Sequence, residues 1–353
     1  MKIRKRLKWK CVLALAVLLT LPCLGLMQTR AAKGIDLNRE CSLTVSVEIG
    51  SDAGGNDAYL EDFNKMEIPV SVYLVANVDA TGQRFTPQAA FQEMNFDKIN
   101  GSPDKVTADD WRTLAGQAEK LRGEFGAEAS GTAVVRMEEG NEAASGKITG
   151  LKPGLYLVAA DAVYNPDYTT EYQFTPYLTA LPGSEYTQEG TGSDEWVYDT
   201  VIGLKADAVP QYGKLNITKI LKEFNETLGR TTFVFHIVGV DRYGATQYEE
   251  VESMTFTAAG SNTITLEHIP AGLTVTVTEI YSGASYVVEG KDSDTALIWS
   301  GAAVSAGVSG EASVTFTNRY DGGNRGGYGV TNRFESDGNG GWTWENPTAL
   351  AGE

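Results

Sequence analysis

At 353 residues the chain is long enough for two or three domains and more than one buried core. A formal net charge of -17 and a pI near 4.6 exclude a nucleic-acid partner, because phosphate binding needs clustered Lys and Arg. Ordinary hydrophobic (42%) and charged (21%) fractions, with 39 glycines and 16 tyrosines, point to a globular, turn-rich, all-β chain.

The opening MKIRKRLKWK carries six Lys or Arg and no acid. CVLALAVLLTLPCLGL follows as an apolar run, and TRAAK offers small residues for cleavage near Ala31 or Ala32. That order is a secretory signal peptide over 1–31, so the mature protein is expected to be secreted and extracellular. The apolar run is short for a membrane span, and Pro22 spoils a lipoprotein box at Cys23. Cleavage removes seven basic residues and no acid, which leaves a net charge near -24. It also removes Cys11 and Cys23, so Cys41 stands alone and no intrachain disulfide can form.

A first β-domain is expected over 41–207. SLTVSVE (42–48) and IPVSVYLVA (68–76) alternate cleanly, and further strand-like runs lie at 132–136, 155–160, 172–180 and 196–204. TADDWRTLAGQAEKL (107–121) reads as a helix within it, capped by Thr107 with Asp110 three residues on. Trp111, Leu114, Ala115, Ala118 and Leu121 form an apolar stripe that serves as core. ADAVPQYG (206–213) is a short polar Pro/Gly boundary.

The second β-domain is expected over 212–320. Its strand-like runs are 215–221, 231–240, 251–258, 262–269, 273–281, 285–290 and 312–320, a pattern that suggests a sandwich. GKITGLKPGLYLVAADAVYNPDY (146–168) and NTITLEHIPAGLTVTVTEIYSGASY (262–286) share the order strand, Pro-Gly-Leu turn, strand, Tyr. Two related β-domains in tandem account for this repeat. A Gly-rich tail with Trp342 and Trp344 occupies 321–353.

Three strands of the second domain each break their apolar alternation once. In LNITKIL, Lys219 shares a face with Leu215, Ile217 and Leu221. In TVTVTE, Glu279 shares one with Val275 and Val277, and in SVTFTN, Asn318 shares one with Val314 and Phe316. Each single break can be a strand-end side chain reaching solvent, and a buried Lys–Glu ion pair often costs more in desolvation than it returns. Together the three offer a further chemistry. Burial disfavours charge on both ionisable partners, so Lys219 becomes a neutral nucleophile. A protonated Glu279 can then polarise the Asn318 carbonyl and shuttle protons, and a Lys–Asn amide forms with release of ammonia. Such a bond closes a loop of about a hundred residues and constrains the unfolded chain as a disulfide does, without dependence on redox conditions.

LNITKIL, the P-x-G-x-T-V-T-V-T-E run and SVTFTNRY resemble the Cna protein B-type (CnaB) domains of Gram-positive surface proteins and pilins. The resemblance covers about 212–320. It implies Ig-like β-sandwich domains and a spontaneous isopeptide bond between Lys219 and Asn318, promoted by Glu279. GVTNRF (329–334) echoes FTNRY, so Asn332 is a rival acceptor, but Val314 and Phe316 give Asn318 the cleaner inner face. The first domain is similar to the N-terminal domain of pilus shaft proteins through YQFTPYLTALP (172–182) and WVYDTVIGLKAD (196–207). Aligning SLTVSV with KLNITK places Val47 where Lys219 stands, so no crosslink is expected there, and Asp161 is expected to be a surface carboxylate. Where the family has a Tyr-Pro-Lys whose lysine a sortase joins to the next subunit, this chain has Gly-Leu-Lys, which makes Lys205 the candidate linkage residue. The family's LPxTG motif with apolar span and basic tail does not follow Trp344, and LPGSE (181–185) is internal.

The two histidines, His236 and His268, lie in strand-like runs without a ligand cluster at metal spacing. No phosphate-binding glycine loop or Ser-His-Asp arrangement stands out, so no cofactor, metal or enzymatic turnover is expected. The expected function is a cell-surface structural subunit or adhesin stalk. Its partners are other pilus subunits joined through a sortase. The alternative is an adhesin whose first domain holds a host surface protein or glycan, and the third reading is a secreted enzyme.

Overall fold

The computed structural model describes residues 34–47, 61–102, 105–139, 143–184, 195–323, 333–336 and 342–345. The segment 1–31 expected to be a signal peptide, the rival acceptor Asn332 and most of the tail lie outside them. The chain forms two compact units, Met1–Pro210 and Gln211–Glu353. It is all-β: strands make up 51% of the described residues. Among the described residues no helix is long and apolar enough to cross a membrane.

The first unit opens with β1 (Cys41–Ser46), β2 (Ile68–Val78) and β3 (Phe85–Pro87). After the helix Ala108–Glu124 come β4 (Gly131–Val135), β5 (Ser145–Leu151), β6 (Gly154–Ala160), β7 (Val163–Tyr164), β8 (Thr170–Phe174) and β9 (Tyr177–Leu181). β10 (Gly183–Ser184), β11 (Trp196–Val197), β12 (Asp199–Gly203) and β13 (Ala206–Pro210) follow. The two sheets that enclose the core have the orders β12-β1-β5 and β3-β2-β6-β9 with β4 also on β2, and two smaller sheets are β13-β8-β7 and β10-β11.

Burial explains the texture of β6. GLYLVAA is apolar at consecutive positions because both faces of its sheet are covered. Tyr156 and Val158 pack in one core with Leu43, Val45 and Ile148. Leu155 and Leu157 pack in another with Leu114, Ala115, Ala118 and Leu121 of the helix, and Trp111 lies partly buried against it. The helix is thus a third layer. Thr107 starts it with a capping box: its side chain accepts from the Asp110 amide, and the Asp110 carboxylate accepts from the Thr107 amide.

Three sequence expectations change here, the first being that the run 196–204 divides into β11, which pairs with β10, and β12, which pairs with β1. The run 172–180 is not one strand: Pro176 cannot donate to a ladder, and the chain splits into β8 and β9, which belong to different sheets. The stretch 206–213 is not simply a linker, because Ala206–Pro210 is β13 and pairs with β8 from Ala206↔Phe174 to Pro210↔Thr170. Its polarity is that of an edge strand with Asp207 and Ala208 exposed.

The second unit contains β14 (Tyr212–Leu221), β15 (Thr231–Val240), β16 (Thr246–Phe256), β17 (Gly260–Pro270) and β18 (Thr274–Tyr281). β19 (Tyr286–Val288), β20 (Ser293–Leu297) and β21 (Ala312–Tyr320) complete two four-stranded sheets, β17-β14-β21-β19 and β16-β15-β18-β20. Their inner faces bury Leu215, Ile217, Phe233, Phe235, Ile237, Val275, Val277, Val314 and Phe316 in one core. The outward positions are Thr274, Thr276 and Thr278 in β18 and Ser313, Thr315, Thr317 and Arg319 in β21, which gives both strands their alternation as far as Glu279 and Asn318. A hairpin of β22 (Arg333–Ser336) and β23 (Trp342–Glu345) lies in the tail.

Candidate functional site: a buried Lys–Glu–Asn triad

The first and last strands of the second unit are neighbours. β14 and β21 pair in parallel, with Lys219 opposite Phe316 and Leu221 opposite Asn318. In a parallel pair opposite residues share a face, so Lys219 and Asn318 lie diagonally on the inner face, one step apart. Glu279 enters from β18 in the facing sheet. Its inward parity continues that of Val275 and Val277.

The three side chains converge. Lys219 Nζ lies 2.6 Å from Glu279 Oε2 and 2.6 Å from Asn318 Oδ1. Asn318 Nδ2 donates to Glu279 Oε1 at 2.6 Å. Each member therefore touches both others. Lys219 and Asn318 are wholly buried, and the Glu279 side chain has no exposure. Among the described residues no buried side-chain N or O lacks a hydrogen-bond partner.

The surroundings are dry. Lys219 Nζ sits 4.6 Å from the Phe233 ring centroid and 5.9 Å from that of Phe235, which in turn packs on Phe316 at 5.4 Å. Burial pulls the Lys219 ammonium below the ordinary lysine value, and the adjacent carboxylate only partly offsets this. The site thus holds an amine biased toward its neutral form, a carboxamide within contact distance, and a carboxyl touching both. These are the parts of an amide exchange: a nucleophile, an electrophilic carbon bearing a nitrogen leaving group, and a proton carrier.

One detail differs from the sequence expectation. Glu279 meets the amide nitrogen of Asn318, and the carbonyl oxygen faces Lys219. The carboxyl therefore bridges the attacking and departing nitrogens. Sequence reasoning also left two parts of the site unconnected to it. The phenylalanine walls were available, since the alternation of TTFVFHIV turns Phe233 and Phe235 inward. The main-chain carbonyl of Ser282, 3.3 Å from Asn318 Nδ2, carries no sequence signal.

The other singled-out residues lie apart from the triad. Lys205 belongs to the first unit, in the step between β12 and β13, and is half-buried. Burial and the nearby Arg112 hold its ammonium below the usual lysine value. Val47, at the position aligned with Lys219, is buried in apolar core, and Asp161 is exposed. His236 pairs with Glu249 at 3.0 Å, and His268 stacks on Tyr212 at 5.8 Å. Among the described residues no group of three or more His, Cys, Asp or Glu could hold a metal.

A family model described as a domain of unknown function (DUF5979) matches residues 215–321. No curated protein matches the chain. Its fold is similar to that of the SpaE basal pilin from Lactobacillus rhamnosus GG, at 13% identity and a TM-score of 0.32 over 79% of this chain and 100% of that one. It is similar to GBS52, the minor pilin in the Gram-positive pathogen Streptococcus agalactiae, at 13% identity and a TM-score of 0.22 over 81% of this chain and 98% of that one. The full-length major pilin SpaD from Corynebacterium diphtheriae aligns at 13% identity and a TM-score of 0.25, over 83% of this chain and 100% of that one.

Proposed function

We propose that this chain is a secreted, pilin-like structural subunit of a Gram-positive cell surface, and that Lys219 and Asn318 join in a CnaB-type isopeptide bond promoted by Glu279. The observation that carries this is the closed triad of buried polar side chains, 2.6 Å apart, drawn from three strands and both sheets.

An ion pair alone is a poor account of that arrangement. Two buried charges lose more hydration than their attraction readily returns, and an ion pair needs no asparagine. Amide formation removes the problem. The proton moves from Nζ to the carboxylate along their hydrogen bond. The neutral amine then attacks Cγ of Asn318, the Nζ–Cγ bond forms and the Cγ–Nδ2 bond breaks. Glu279 passes the proton it has taken to the departing Nδ2 and accepts a second one from Nζ, so ammonia departs and the carboxyl ends with one proton. The ammonium has become an uncharged amide. Glu279 acts once per molecule, so the triad itself turns over no substrate.

The bond spans a sequence separation of 99 residues. By the loop-closure estimate used for disulfides this is worth about 4–5 kcal/mol. Cys41, the one cysteine outside the signal peptide, cannot supply an equivalent within the chain. The crosslink also ties the first strand to the last, so a load entering at β14 and leaving at β21 passes through a covalent link. That suits a structural subunit under tension.

A second role has one observation in its favour. In the first unit, Tyr164 and Tyr168 stack at 5.5 Å with Tyr164 exposed, a flat aromatic surface suited to a host protein or glycan. Cell-wall extracts boiled in detergent distinguish the two roles. A subunit polymerised by a sortase through Lys205 gives a ladder of multimers that Lys205→Ala abolishes and Lys219→Ala leaves in place. A single monomer band, with saturable binding to host surfaces that is lost in Tyr164→Ala, favours the adhesin.

A further inference from the structure

Two main-chain features beside the triad have no part in the chemistry described so far. The first is a β-bulge. Phe235 pairs with Glu279 but Val234 pairs with Tyr281, so Ile280 is an extra residue directly after the glutamate. Ile280 and Tyr281 both face solvent, and the inward parity of β18 ends there. The second is the turn that follows. Gly283 has φ +83°, a region open to glycine. A Cβ at this position would lie 2.9 Å from Thr231 Oγ1 and 3.1 Å from Tyr286 Cδ2. The turn is fastened to β21, since the Ser285 carbonyl accepts from the Asp321 amide at 3.0 Å. Bulge and turn together bring the Ser282 carbonyl to 3.3 Å from Asn318 Nδ2.

We infer that the Ser282 main-chain carbonyl is a positioning member of the site, which holds the Asn318 amide with its nitrogen toward Glu279 while the amine attacks. The inference rests on the crosslink proposed above.

A carboxamide has nearly the same shape after half a turn about Cβ–Cγ, which exchanges oxygen for nitrogen. Glu279 and Lys219 do not by themselves choose between the two states. As an ion pair they favour the observed one, with Nδ2 on the carboxylate and Oδ1 on the ammonium. Once the proton has passed to the carboxyl, the acid can donate to Oδ1 and the neutral amine can accept from Nδ2. The reactive, uncharged pair therefore tolerates either orientation. A main-chain carbonyl can only accept. With the amide reversed, two carbonyl oxygens would face each other with no proton between them. Ser282 thus preserves the orientation in which the departing nitrogen lies 2.6 Å from the carboxyl oxygen that protonates it. It exchanges no atom or proton itself.

The mature chain made by cell-free synthesis, quenched into acid at intervals and weighed intact, gives the rate of ammonia loss. Gly283→Ala shifts the turn, and we expect it to crosslink roughly tenfold more slowly than wild type. Wild-type loss with an unchanged Gly283→Ala rate overturns the role of Ser282 and leaves the crosslink standing. A wild type that never loses ammonia overturns both. If Gly283→Ala does not fold, a Lys219→Met chain retains the Asn318 amide and reports directly. Both of its Nδ2 protons, seen by NMR, are expected to resist exchange with solvent. One protected and one freely exchanging proton would contradict the inference.

Discussion

The two units close the same seam in different ways. In the first, β1 runs parallel to β12 and antiparallel to β5, and β6 lies in the facing sheet. In the second, β14 runs parallel to β21 and antiparallel to β17, and β18 lies in the facing sheet. The Pro-Gly turns of the internal repeat make the same crossing from sheet to sheet. Yet the position of Lys219 is taken by Val47, buried among apolar neighbours. The first unit also has a helix over the outer face of its central sheet, a third layer with a core of its own. The second has two layers and a buried polar triad. The triad is therefore no requirement of the strand arrangement. It is an addition to the thinner unit, where the proposed crosslink would supply by loop closure what a further apolar layer supplies in the other.

The largest break in this comparison should come from Glu279→Ala. It prevents the crosslink, a loss of about 4–5 kcal/mol, and leaves Lys219 buried without a counter-charge, a further cost of about 3 kcal/mol. Thermal unfolding should show the second unit melting far below wild type while the first is unmoved. Next is Val47→Lys, which puts the triad's amine into the first unit with no carboxyl or asparagine to receive it. An unpaired buried ammonium should cost about 3 kcal/mol there, with no loss of mass on intact mass spectrometry. Thr107→Ala should remove about 1 kcal/mol from the first unit by unmaking the capping box, measured by denaturant unfolding.

The smallest effect is a pH slope. In Asn318→Ala no bond can form and Lys219 keeps its titratable amine. Its folded pKa lies below the ordinary 10.5 because of burial. Between the two values the unfolded chain binds more protons than the folded one, so stability should rise with pH through that window and level off above 10.5. Adding Lys219→Met should flatten the slope, and the crosslinked wild type should lack this contribution.

Much of the site was legible because the second unit's strands keep period 2 with single interruptions. Lys219, Glu279 and Asn318 were assigned to the inner face by parity with valines and phenylalanines, and all three are buried. Strand pairing and main-chain geometry were less legible. Nothing local in ADAVP shows that it pairs with the earlier segment Thr170–Phe174. SDTAL, β20, is short with only partly covered side chains and made no pattern of its own. The bulge at Ile280 depends on register with β15, and the Ser282 carbonyl belongs to the backbone, so neither has a residue-type signature. The side of the Asn318 amide facing Glu279 was likewise beyond parity, which fixes the face of a strand but not the rotation of a terminal group.

The most direct test is the intact mass of the purified mature chain beside Lys219→Ala and Glu279→Ala. The account predicts that the wild type is lighter than its calculated mass by one ammonia, and that both variants have their full calculated masses. A wild type at its full calculated mass would contradict it and leave the triad as a buried polar cluster.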